Sequence, residues 1–266
     1  MSRRPDEPQP DLWNSLVGCI EQDDAVILTL KEYAQALTMP QLCFMPAIDP
    51  FSIKNRALSE ADIVDRLAPY DIPTDLPLVV QISRVGRWKA PAGVIQAFQM
   101  ARRDVPCTLV LLGNVATDAP EGEQVEALRQ YRDECLRILS AQDSALVNAL
   151  QRRATVVLQK AIREGFGLTV TEAMWTGAAV IGGNVGGIHA QITDGENGFL
   201  VSSVAEAAQR LVQVLNDAEW HKRLGQAARE TVSQRFLMIR LLEPYVDLFN
   251  AFETVYRLDK SPGELS

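Results

Sequence analysis

Arg163-Glu164-Gly165-Phe166-Gly167-Leu168-Thr169-Val170-Thr171-Glu172-Ala173-Met174-Trp175 is the stretch on which the fold turns. It follows a short β-rich run, Thr155 to Gln159, and continues into a helical pattern from Leu168 to Trp175. Gly165 and Gly167 let the backbone turn sharply and come close to a ligand. The helix they open presents free N–H groups and the positive end of its dipole, which together make an anion site from main chain. Glu164 falls in the loop and Glu172 in the helix, so the two carboxylates do not share a helical face. They are spaced to reach different parts of one extended ligand, and carboxylate oxygens accept readily from sugar hydroxyls. Spacing alone equally accommodates a helix start with Glu164 set against the dipole and Glu172 merely exposed.

The same order of strand, turn and helix recurs on both sides of this stretch. Leu78 to Ser83 reads as a buried strand, followed by Arg84-Val85-Gly86-Arg87-Trp88-Lys89 and a helix from Pro91 to Arg103. Thr108 to Leu112 is a strand, Ala179 to Gly182 another, closed by Gly183-Asn184-Val185-Gly186-Gly187-Ile188, and Gly198 to Val201 a further one before a helix from Ala205 to Leu215. Such alternation predicts an α/β fold, a Rossmann-like doubly wound parallel sheet with helices on both faces. Ligands in such sheets lie at the carboxyl ends of the strands. Three ligand-type turns at one edge are a stronger signal than any one of them. Arg84 and Lys89 suit a diphosphate, since arginine forks onto two phosphate oxygens and lysine adds a mobile charge. By composition alone a solvated basic loop accounts for that turn as well.

Between these elements a charged segment, Glu123 to Leu139, is predicted helical and leads into a second helix at Val147 to Arg153. Upstream, Ser59 caps a helix through Leu67. Asp11 to Ile20 has helical spacing, Ala25 to Leu30 is β-rich and Lys31 to Leu37 can start a helix, before Pro40, Pro46 and Pro50 mark a linker. At the far end Leu237 to Tyr256 carries Leu241, Leu242, Tyr245, Leu248, Phe249 and Phe252 as an apolar stripe, with Pro244 expected to kink or restart the helix. Met174, Trp175 and Ile188 read as core, His189 as a capping or packing residue, and His221 as a surface residue.

The chain has 266 residues, 47% hydrophobic, and a net charge of 26 − 34 = −8. That is enough apolar content for a core, and the acidic balance argues against sequence-independent binding to nucleic acid or an anionic membrane. Cys19, Cys43, Cys107 and Cys135 lack metal or disulfide spacing, and no signal-peptide pattern or membrane-length apolar run occurs, so the sequence reads as cytoplasmic.

The Arg163–Trp175 word, with Ile181, Gly186-Gly187-Ile188 and Asp194-Gly195-Glu196-Asn197-Gly198-Phe199-Leu200, resembles the donor-binding domain of retaining group 1 glycosyltransferases of GT-B fold. More narrowly, Ile48-Asp49-Pro50-Phe51-Ser52-Ile53-Lys54-Asn55, the Ser83-Arg84…Trp88-Lys89 turn, Asp118-Ala119-Pro120-Glu121-Gly122 and Val147-Asn148-Ala149-Leu150-Gln151-Arg152 resemble the trehalose synthase branch, close to trehalose phosphorylase. The likeness runs from about Trp13 to Phe252. It implies that Arg84 and Lys89 neutralise the donor diphosphate. It implies that Glu164 contacts hydroxyls of the transferred hexose, that Gly165, Phe166 and Gly167 offer free backbone N–H groups to sugar and phosphate with Leu168 beside them in the donor site, and that Glu172 holds the ribose hydroxyls.

The implied reaction moves glucose from a nucleotide-diphosphate glucose to a sugar acceptor, glucose itself, with retention, making trehalose. A phosphorylase-like enzyme or a non-catalytic sugar-nucleotide binding fragment are the alternatives. No metal is written into the motif, and magnesium with the donor is compatible with the resemblance. The implied division is a flexible tail at 1–10, a remnant of the N-terminal GT-B domain at 11–45, the Rossmann-like donor-binding domain at 46–235, and a C-terminal helix and tail at 236–266. The strand that family members carry after the charged helix is expected to be missing here. In the family the chain end packs on the N-terminal domain, so the C-terminal helix is expected to self-associate or to pair with such a domain.

Overall fold

After helix α1 (Pro10–Ile20), two short parallel strands, β1 (Val26–Leu28) and β2 (Gln41–Cys43), pair as Val26↔Gln41 and Leu28↔Cys43. The computed structural model describes residues 10–84, 86–113, 128, 131 and 133–259. Residues 1–9 of the tail expected at 1–10, the Asp118–Gly122 word and eight of the seventeen residues of the helix expected from Glu123 to Leu139 lie outside the described residues, and Pro10 opens α1. Lys31 to Leu37 forms only a single 3₁₀ turn, Lys31–Tyr33, rather than a helix.

The main body is a six-stranded, wholly parallel sheet: β3 (Leu78–Ile82), β4 (Thr108–Gly113), β5 (Leu136–Ser140), β6 (Val156–Gln159), β7 (Ala179–Gly183) and β8 (Phe199–Val201) in the order β5-β4-β3-β6-β7-β8. Val80 is flanked by Val110 of β4 and Val157 of β6. The strands alternate between two cores, as a period of two requires. Leu78, Val80, Val110, Val157 and Val180 face α2 (Glu60–Leu67), α4 (Ser144–Arg153) and α5 (Leu168–Thr176). Val79, Leu109, Leu111, Leu158 and Ile181 face α3 (Pro91–Ala101) and α7 (Val204–Asn216). Helices on both faces bury β3, β4, β6 and β7 completely, which explains why most of the strands read as unbroken apolar runs.

One strand corrects the sequence reading. Leu136–Ser140 is not the end of a helix but the edge strand β5, paired with β4 from Leu109↔Leu136 to Gly113↔Ser140. The strand expected to be missing is therefore present. Local propensity lost here to pairing with a neighbour distant in sequence.

The remaining helices are α6 (Gly186–Gln191), α8 (Ala218–Arg235) and α9 (Met238–Asp259). The long polar helix α8 escaped the sequence reading. Asp217 caps it by accepting from the Trp220 N–H at 2.8 Å, while Ala228 and Val232 reach the core. Helix α9 is continuous across Pro244, so the expected restart does not occur. The linker and the chain's return meet at a parallel bridge, where Ile48 N–H donates to Phe236 O at 2.8 Å and Met238 N–H to Ile48 O at 3.1 Å. Among the described residues no helix is long and apolar enough to cross a membrane.

Candidate donor-binding crevice

The strand order reverses between β3 and β6, because the chain steps outward on one side through β4 and β5 and on the other through β7 and β8. Helices leaving these two central strands go to opposite faces, and their loops part to leave a crevice at the carboxyl ends. The turn after β3 forms one wall and the glycine loop after β6 the other. The walls are tied together where Ile162 N–H donates to Trp88 O at 2.8 Å and the Arg163 guanidinium lies over the Trp88 ring at 5.4 Å.

The predicted residues fall in this crevice with unequal connections. Lys89 Nζ forms an ion pair with Glu164 Oε2, joining the two walls, and both side chains are largely withdrawn from solvent. Arg84 lies exposed at the end of β3 and makes no ion pair among the described residues. Gly167 adopts φ +86 as the residue preceding α5, a conformation that explains a glycine at the helix start. Gly165 N–H donates to Glu164 Oε1 at 3.1 Å, so this amide is engaged rather than free as the resemblance implied. Phe166 turns its ring inward, edge-on to Phe236 at 5.8 Å, and Leu168 opens α5 half-exposed.

Glu172 settles one alternative left open by spacing. It is buried, 7% exposed, rather than simply exposed on α5. Burial pushes its carboxyl above the ordinary value, and Lys54, with Nζ 3.5 Å from Oε1, pulls it the other way. A buried carboxylate held by one half-exposed lysine retains unused acceptor capacity. Two adjacent hydroxyls would satisfy it.

Three positioning residues escaped the sequence reading. Tyr33 Oη donates to Glu164 O and Gly165 O at 3.2 and 2.7 Å, so the N-terminal unit holds the glycine loop from outside. Gln191, 1% exposed, accepts from Thr171 Oγ1 at 2.6 Å and donates to Phe166 O at 2.7 Å, bracing the loop from beneath. Lys54 stood within the Ile48–Asn55 word but had no assigned role. His189, expected as a capping or packing residue, instead places its Nε2 3.3 Å from Glu32 Oε2 in a partly exposed polar contact. His221, expected at the surface, is half-buried: its Nε2 has no hydrogen-bond partner among the described residues, and burial lowers its pKa while a backbone hydrogen bond at Thr155 opposes the shift. Met174 and Ile188 are fully buried, as core. Among the described residues no cluster of three His, Cys, Asp or Glu side chains is placed to hold a metal.

Residues 65–231 match the family model described as glycosyl transferases group 1. The chain is 37% identical to the trehalose synthase of Thermococcus litoralis over 255 residues, covering 92% of this chain and 62% of that protein. It is 39% identical to the trehalose synthase of Rubrobacter xylanophilus over 251 residues, covering 91% of this chain and 60% of the relative. It thus spans about three fifths of the length of these curated relatives. Among solved structures, Anabaena HepE in complex with UDP and glucose superposes with a TM-score of 0.81 at 20% identity, covering 93% of this chain and 69% of that one. That likeness concerns the fold.

Proposed function

Because the chain belongs to the group 1 glycosyltransferase family, we propose that its crevice binds a nucleotide-diphosphate glucose and serves retaining transfer of glucose to glucose, forming trehalose. The observation that carries this reading is the pair of carboxylates, Glu164 joined to Lys89 across the crevice and Glu172 buried beside it. Lys89 and Arg84 answer the two negative phosphates. When phosphate takes Lys89, Glu164 is released to accept from hexose hydroxyls, so one exchange of partners prepares both ends of the bond to be broken. Glu172 gains the ribose diol and its oxygens become fully bonded.

As the sugar–phosphate bond opens, positive charge develops on the hexose and negative charge on the departing diphosphate. A fixed cation and the N–H groups at the start of α5 stabilise the second of these directly. The acceptor is a second sugar, positioned by structure of the kind the longer relatives possess. Along α9 an exposed apolar edge serves as an association face.

The test is calorimetric titration of the chain with UDP-glucose. Glu172→Ala is expected to weaken binding about tenfold to a hundredfold, the loss of one or two hydrogen bonds to a charged acceptor. Unchanged affinity in that variant would sink the assignment. Trehalose formation, assayed with the chain alone and with the N-terminal domain of a relative supplied, reports separately on catalysis. Competition by inorganic phosphate rather than by UDP would favour a phosphorylase-like use of the same crevice.

A further inference from the structure

One cation in the crevice has no part in the site as built so far. Lys160 immediately follows β6, is 8% exposed, and its ammonium makes no hydrogen bond or ion pair among the described residues. Its Nζ lies 3.8 Å from the position a Cβ on Gly93 would take. Gly93 is the third residue of α3, an 11-residue helix whose N-cap, Ala90, offers no side-chain acceptor. The ammonium is therefore packed against the uncapped, positive end of a helix. Desolvation and the helix dipole both disfavour that arrangement, and an anion placed between the two would reverse both terms. Pro91 supplies no N–H, leaving the amides of Ala92 and Gly93 as the first-turn donors without a side-chain cap.

The location is as specific as the charge. Lys160 stands at the carboxyl end of β6, α3 begins one turn after β3, and these are the two strands between which the sheet order reverses. Gln81 of β3 fixes the start of α3 by donating from Nε2 to Lys89 O at 2.8 Å. We infer that Lys160 and the first turn of α3 form a subsite for a phosphate group, separate from the Arg84 and Lys89 side chains but adjoining them along the chain. The phosphate comes either from free orthophosphate or from a diphosphate ester. In the second case it is one of the donor's own phosphates, and only this attribution rests on the function proposed above.

Calorimetry on the full chain with inorganic pyrophosphate, orthophosphate and UDP-glucose tests this in wild type, Lys160→Met and Glu172→Ala. Pyrophosphate affinity is expected to fall about tenfold or more in Lys160→Met, the size of a charge-assisted hydrogen bond. It should stay within about twofold in Glu172→Ala, which acts on the ribose side. Orthophosphate bound as tightly as pyrophosphate identifies the free ion as the source, and a preference for pyrophosphate identifies the ester. Unchanged affinity for both anions in Lys160→Met overturns the subsite, and if Glu172→Ala still loses UDP-glucose the donor reading survives alone. Pyrophosphate binding that depends on Lys160 without any binding of UDP-glucose leaves the subsite and removes the donor reading. The unliganded Tm of Lys160→Met is expected to equal or exceed that of wild type. A lower Tm with unchanged anion binding would assign Lys160 to the fold and overturn the proposal.

Discussion

On the donor-binding reading proposed above, Glu172 couples binding chemistry to stability through a single carboxyl. Its pKa is raised chiefly by burial, with Lys54 opposing. A carboxyl whose pKa is higher in the folded than in the unfolded chain favours folding below the unfolded value, and that contribution is lost as pH rises through the folded one. At neutral pH the charged form is therefore a liability in the free protein. Glu172→Gln, which keeps the shape and removes the charge, is expected to raise Tm at pH 7, with the advantage disappearing below the ordinary glutamate pKa of 4.5. Thermal melts of both proteins across that range check the sign, and a variant less stable than wild type at pH 7 would show that the Lys54 contact outweighs burial. A higher Tm for Glu172→Gln would place the charge where it weakens the unliganded protein, as expected of a group retained for a ligand rather than for the fold. Glu172 was legible in the sequence because its spacing from Glu164 is local. Lys54 and Tyr33 were not, because they reach their partners across 118 and 131 residues of chain.

Elements obey the same rule, legible where local and obscure where distant. The glycine loop and α5 announce themselves through Gly165, Gly167 and the apolar run that follows. β5 does not, because its five residues, Leu136 to Ser140, cover only one face well and owe their conformation to pairing with β4 and to Arg137 reaching Asp71 at 3.2 Å. The packing of one loop on another is equally invisible in sequence, and Gly186 at the start of α6 is the sharpest case. Its φ is +46, and a Cβ there would stand 1.8 Å from Glu164 O. Gly186→Ala must therefore push the Glu164 carbonyl away and disturb the Tyr33 hydroxyl bonded to it. A destabilisation of about 1–3 kcal/mol is expected by urea denaturation, the range for overpacking a close contact. UDP-glucose affinity should fall with it, because Glu164 moves with its backbone. Loss of stability with unchanged affinity would separate loop packing from the binding role proposed for Glu164.

At the scale of the whole molecule, α9 divides the stripe that sequence periodicity drew as one. Leu241, Tyr245 and Leu248 face inward and are half-buried, with Tyr245 edge-on to Phe44 at 4.9 Å and so fastened to the N-terminal unit. Ile239, Leu242, Val246 and Phe249, three to four residues apart, form an outer edge that is 52–68% exposed. Apolar side chains in a row on a polar, net acidic molecule gain by removing one another from water. A second copy of the chain offers the same edge to set against it. Its apparent mass in sedimentation velocity is therefore expected to rise with concentration above the 29.4 kDa of one chain. Replacing Val246 and Phe249 together by Glu should return it to that mass, with stability changed by no more than about 0.5 kcal/mol per site because neither side chain is buried. A wild-type chain that stays at one chain's mass at high concentration would show that the exposed edge drives no association. The doubly substituted chain should meanwhile keep its UDP-glucose affinity, since the stripe and the crevice share no residue.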